Sequence, residues 1–220
     1  MRNLSARVLG YITVFEFFSI FIVIPYAIWI GLFHFSYILV PLYLVAAYAA
    51  IWLTVRGNFK YRQFWFGEKY EAEKNALAII LKRVVIVALL LWLLTYVLYP
   101  EKLFNLPLEK PAIWLLLMVL YPLLSVYPQE LLYRAFFFRR YSRLFHDRFG
   151  LIGASAVAFG GMHIVFGNVL AIFITLAGGY LIADTYSRTR SMRMVFLEHS
   201  LYGCLIFTLG LGEFFLFGNT

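Results

Sequence analysis

The chain has 220 residues, of which 63% are hydrophobic, 20% aromatic and only 14% charged. A soluble domain carries apolar residues at nearer half of its positions, so this composition excludes one and predicts an all-α, polytopic transmembrane helical bundle. The net charge of +8 does not point to nucleic acid, because the basic residues sit in short connectors between apolar spans rather than on one exposed soluble face.

A helix needs roughly 20 residues to cross a hydrocarbon core of about 30 Å, and on that criterion about seven spans are expected. They are residues 8–33, 35–55, 78–99, 111–135, 151–167, 168–186 and 194–218. The first is longer than a signal-peptide core and lacks a small-residue cleavage pattern after it, so it is expected to remain as a transmembrane helix. Lys82 and Arg83 interrupt the third, leaving 15 continuous apolar residues at 84–98; residues 76–81 either lie on the membrane surface or extend the helix into the cytoplasm. The lone Cys204 lies within the seventh span, where it reads as a small packing residue or a reactive thiol.

The connectors alternate in charge. Arg2 and Arg7 precede the first span, seven Lys and Arg run from Arg56 to Arg83 between the second span and the apolar part of the third, four follow the fourth, and three separate the sixth and seventh; the opposite connectors hold only Lys102 and Lys110. By the positive-inside rule the amino terminus is cytoplasmic, and in a bacterium the membrane would be the plasma (inner) membrane. Residues 56–75 form the one long connector, with Phe64-Trp65-Phe66 among Lys and Arg, which suits an interfacial helix or, more specifically, a substrate-docking surface. Glu101-Lys102 and Glu109-Lys110 flank Asn105-Leu106-Pro107 in an outer loop that ends at Pro111, a helix start.

Ionisable groups at membrane depth are functional candidates, because each is costly unless a partner or trapped water compensates it. The fourth span carries Gln129-Glu130-Leu131-Leu132-Tyr133-Arg134. Glu130 lies roughly 9–15 Å inside the belt of residues 136–141, and Arg134, at i+4, is spaced to pair with it. Pro128 loosens the preceding turn and frees a carbonyl, which is tolerated where protein or water can bond to it. The fifth span carries Phe159-Gly160-Gly161-Met162-His163, with Asn168 just beyond, and the seventh carries Glu198-His199 with Gly203 one turn later. His199 counts to a depth of roughly 9 Å and His163 to roughly 18 Å, so the fifth span must tilt or start lower for the groups to meet. Asp184 is expected to pair with a connector arginine such as Arg188, while Glu16 and Glu213 read as interhelical polar contacts.

In their order, these motifs resemble those of the CPBP (CAAX protease and bacteriocin-processing, Abi) intramembrane proteases, over roughly residues 110–215. That family's motifs are Glu-Glu-x-x-x-Arg, Phe-x-x-x-His and His-x-x-x-Asn. The resemblance divides the chain into three amino-terminal helices with one basic loop (1–110) and a four-helix core (111–220). It implies a membrane-associated peptide substrate, water activated by the first glutamate and the second-motif histidine, and an oxyanion held by the last histidine and asparagine. Here Phe159 and His163 match the second motif and His199 the third, but Gln129 stands at the first glutamate and Gly203 at the asparagine. A glutamine cannot act as a general base, and a glycine offers no side-chain donor.

The resulting expectation is a metallo- or glutamic-type endopeptidase with Glu130, Arg134, His163, Glu198 and His199 as its site. Glu130 or Glu198 with His163 activates water, His199 polarises the carbonyl, Arg134 fixes Glu130, and Asn168 or backbone N–H groups near Gly203 assist. A zinc ion on His163, His199 and Glu130 is an alternative, without a His-Glu-x-x-His spacing to support it. The rival readings are a catalytically silent relative that binds a membrane peptide or partner in the same cavity, and a small proton-coupled transporter, for which no internal symmetry is visible.

Overall fold

The computed structural model describes residues 2–32, 39–56, 60–67 and 70–215. Residues 33–38, where the first two expected spans meet, parts of the long connector, and residues 216–218 of the seventh span lie outside the described residues. Seven principal helices account for most of the chain: α1 (Val8–Trp29), α2 (Leu39–Arg56), α3 (Tyr70–Leu98), α4 (Pro111–Arg140), α5 (Arg148–Phe166), α6 (Val169–Thr189) and α7 (Met192–Thr208). There is no strand among the described residues.

Six spans among the described residues have the length and apolarity to cross a membrane. The expected seventh is the exception: α7 has 17 residues, about 26 Å at 1.5 Å per residue, and turns at Gly210. It has less need of lipid contact than the others, because eight of its residues are buried and it packs against α3, α4 and α6. By contrast, α3 and α4 present exposed Leu, Ile and Val side chains, including Val85, Leu89, Leu93, Leu115, Leu116 and Val119, as suits helices bordered by acyl chains. The third span begins earlier than its apolar run, since α3 continues without a break from Tyr70 through Lys82 and Arg83.

Prolines shape the two helices that flank the interior. Pro25, Pro122 and Pro128 lie in or beside widened π turns at Ser19–Val23 and Pro122–Val126, and a third such turn covers Leu131–Phe136. Proline has no N–H to give to the carbonyl four residues back. For Pro128 that carbonyl is Leu124, and the Tyr43 hydroxyl of α2 donates to it at 2.8 Å.

Polar side chains join the helices at their ends. Glu16 of α1 accepts from Arg140 Nε and Nη2 at 2.9 and 2.7 Å and from the Tyr141 hydroxyl at 2.8 Å. Asp184 pairs with Arg188, as expected, and also with Arg83 at 2.7 Å and Arg148 at 2.9 Å, so one carboxylate ties α3, α5 and α6 together. Lys102 pairs with Glu213. In the long connector, a short helix (Tyr61–Phe66) seats itself on the bundle: Trp65 stacks on Tyr127 at 5.8 Å, its carbonyl accepts from Ser191, and Arg193 lies over the Phe66 ring.

Helices α5 and α6 are in close contact because Gly160 carries no side chain: a Cβ there would lie 2.9 Å from Leu176 Cα. Gly160→Val should therefore lower stability by about 1–3 kcal/mol through overpacking, read as a lower thermal unfolding midpoint in detergent. An unchanged midpoint would contradict this close approach.

Candidate active site

Glu130 and Arg134 lie on α4 on either side of the start of the Leu131–Phe136 π turn, and both are fully buried, at 0% exposure. Arg134 Nε lies 3.3 Å from Glu130 Oε2, an ion-pair contact outside hydrogen-bond geometry. The rest of the guanidinium is distributed over two other helices. It donates to Ser155 Oγ at 3.3 Å on α5 and to the Gly179 carbonyl at 3.4 Å on α6, and lies 4.9 Å from the Phe159 ring centroid. Ser155 in turn donates to the Tyr133 carbonyl, closing the loop back to α4.

The other Glu130 oxygen, Oε1, accepts from His199 Nδ1 of α7 at 2.8 Å. A carboxylate oxygen facing Nδ1 assigns a proton to that nitrogen and leaves Nε2 as the variable one. The Tyr121 hydroxyl lies 3.2 Å from Nε2 and donates to it when the ring is neutral. The four groups form a chain, Arg134–Glu130–His199–Tyr121, that runs from full burial to a cavity wall.

That cavity has a volume of ≈ 420 Å³, and its lining includes Tyr121, Ser125, Gln129, His163, His199 and Gly203, with Val87, Leu91, Ile174 and Ile206 among its apolar surfaces. His163 Nδ1 donates to the Phe159 carbonyl at 2.8 Å, leaving Nε2 to serve the cavity. The Phe159 ring stands between the two histidines, 5.0 Å from His163 and 5.3 Å from His199 by centroid. A second, smaller cavity of ≈ 90 Å³, bordered by α1 and α2, shares Ser125, Gln129 and His163 with the first. Gln129, which donates to Ser125 at 2.7 Å, stands at the junction of the two.

Of the five residues expected to form the site, Glu130, Arg134 and His199 are in direct contact and His163 borders the same cavity. Glu130 engages His199 and Arg134 rather than His163. Glu198 is also fully buried, but its Oε1 accepts from the Tyr202 hydroxyl at 2.8 Å and from Arg83 Nη1 at 3.5 Å, which links it to α3. Asn168 caps α6 by accepting from the Ala171 N–H.

Zinc does not fit these donors. A catalytic zinc takes three protein ligands and an open position. Glu130 sets one oxygen on His199 and the other against Arg134, away from the cavity. No group of three His, Cys, Asp or Glu converges among the described residues.

Tyr121 was not apparent in the sequence. It lies nine positions before Glu130. At about 100° per residue, a regular helix would put the two on opposite faces. The π turn at Pro122–Val126 takes up an extra residue and brings them round toward the same side, so that both reach His199. The cue available in the sequence was Pro122 beside Pro128, two positions at which the helix cannot continue regularly.

A bundle of membrane-length helices makes this a multi-pass membrane protein, and it holds a buried carboxylate–histidine pair at the edge of an internal cavity. Residues 111–205 match the family model described as type II CAAX prenyl endopeptidase Rce1-like, which is consistent with a CAAX-type (CPBP) intramembrane protease family. No curated protein and no solved structure matches the chain.

Removing one member of the buried ion pair strands the other. Glu130→Leu and Arg134→Met should each lower stability by about 3–5 kcal/mol, whereas the double variant should lose less than either single change. Thermal or denaturant unfolding of all four proteins measures the coupling, and simple additivity would show that the pair does not act as a unit.

Proposed function

We propose that the protein is an endopeptidase that hydrolyses a peptide bond of a membrane-associated substrate in the cavity between His163 and His199. The observation that carries this reading is the Glu130–His199 hydrogen bond at the edge of a cavity that His163 also borders. A carboxylate behind a histidine holds the ring in one tautomer and orientation and stabilises the imidazolium.

The roles follow from which atoms are already engaged. His163 donates Nδ1–H to Phe159, so its Nε2 accepts a proton from water as the water oxygen bonds to the scissile carbonyl carbon. His163 then returns that proton to the leaving nitrogen as the C–N bond breaks. His199, protonated on both nitrogens, donates through Nε2 to the carbonyl oxygen, while Glu130 balances its charge and Arg134 fixes Glu130. Glu130 is thus a positioning residue in this scheme, and the chain's lack of a carboxylate at Gln129 is met by His163 acting as base. The mostly apolar lining around these groups suits a substrate segment drawn from the bilayer.

Protein reconstituted in liposomes should cleave a member of a library of membrane-anchored peptides, with products identified by mass spectrometry. His163→Ala should reduce turnover by about 10²–10⁴-fold, the usual contribution of a general base, and Glu130→Ala should act through His199 to a comparable degree. Cleavage that survives both changes would sink this assignment.

A second reading has its own support: the group at the junction of both cavities is the Gln129 amide, and the carboxylate beside it is buried. A catalytically silent relative that binds a membrane peptide would have this arrangement. It predicts no hydrolysis by the unaltered chain and a gain of hydrolysis with Gln129→Glu in the same assay.

A further inference from the structure

Gly203 sits one helical turn after His199 on α7 and is buried against α4. A Cβ at this position would lie 2.1 Å from Tyr121 Cε1 and 2.5 Å from its hydroxyl oxygen, so the tyrosine ring fills the space that a side chain at 203 would need. No ordinary side chain fits there without displacing the ring. The ring is further held edge-to-face by Phe207 at 5.1 Å, and its hydroxyl is directed at His199 Nε2.

We propose that the Tyr121 hydroxyl is a catalytic group of this site, a hydrogen-bond donor to the carbonyl oxygen under attack, presented through the gap left by Gly203. The inference rests on the hydrolytic reading above and gives that reaction a second donor beside His199, at the place where Gly203 supplies none. Tyr121 O and His199 Nε2 are 3.2 Å apart, so one oxygen about 2.8 Å from each completes a triangle. Tyr121 keeps its proton throughout: with His199 Nε2 carrying a proton of its own, the Tyr121 O–H does not point at that nitrogen and is available to the substrate oxygen as negative charge develops there, and it turns away when the carbonyl re-forms. A donor in a cavity with a mostly apolar lining acts in a low local dielectric, where such a hydrogen bond contributes more to the transition state than it would in water.

Three variants in the liposome cleavage assay test the proposal. Tyr121→Phe keeps the ring over Gly203 and removes only the hydroxyl; kcat should fall by about 10²–10³-fold, with KM changed by no more than about threefold. Gly203→Ala should produce a loss of the same order by pushing the ring aside. In the Tyr121→Ala, Gly203→Asn double variant, the vacated space admits an amide donor on the turn after His199, and turnover should exceed that of Tyr121→Ala alone by about tenfold or more. As a measure independent of turnover, a peptide aldehyde ending at the cleaved residue, whose hydrate resembles the tetrahedral species, should bind Tyr121→Phe at least about tenfold more weakly than wild type. The matching alcohol should bind both equally. If Tyr121→Phe retains wild-type kcat and aldehyde affinity in a protein that His163→Ala inactivates, the role of Tyr121 is overturned and the hydrolytic reading stands. If the unaltered protein cleaves no peptide, both fall.

Discussion

The burial of the Arg134 guanidinium beside Glu130 is the constraint around which the core is arranged. Both side chains have no solvent exposure, and neither charge is tolerable in an apolar interior without the other. The partners come from separate helices: Ser155 from α5, the Gly179 carbonyl from α6 and His199 from α7, each engaged with a group on α4. Satisfying two charges therefore fixes the relative positions of four helices. A buried ion pair is weak evidence of stability, since apolar replacements often match it, but it does specify an arrangement.

The same arrangement decides which groups meet the cavity. Glu130 and Arg134 stay behind the wall, and only the histidine that they hold reaches the edge. His163 arrives from α5 with one ring nitrogen tied to its own backbone, and Phe159 spaces it from His199. Further from the cavity, Arg83 reaches Asp184 and Glu198 together, so α3 is drawn to α6 and α7 by a second set of compensated charges. The two networks meet on α7, where Glu198 and His199 are adjacent.

Irregular turns carry much of the positioning. Three π turns, two of them in α4 around the Glu130–Arg134 motif, change which residues share a face. Such turns leave backbone groups that need other partners, and within a membrane these must be protein groups or trapped water. Tyr43, donating to the Leu124 carbonyl, is one such partner. The widened turn before Glu130 is also what brings Tyr121 to His199.

Much of the fold and part of the candidate site's geometry were legible in the sequence, since both depended on properties local to the chain. Hydropathy over about 20 residues set the helical spans, and the rarity of charge within them singled out Glu130, Arg134, His163, Glu198 and His199. Fourth-residue spacing paired Glu130 with Arg134 and Asp184 with Arg188 correctly. The seventh span, expected over 194–218, has its helix over Met192–Thr208 instead, because hydropathy counts apolar residues whether they meet lipid or protein, and α7 packs largely on protein. Only the tertiary structure decided that Glu130 turns to His199, that Glu198 turns to Arg83 and Tyr202, and that Tyr121 fills the place beside Gly203. Each is a contact between different helices or across a proline-widened turn. Helical period and spacing describe one regular helix at a time, so they cannot say which faces meet.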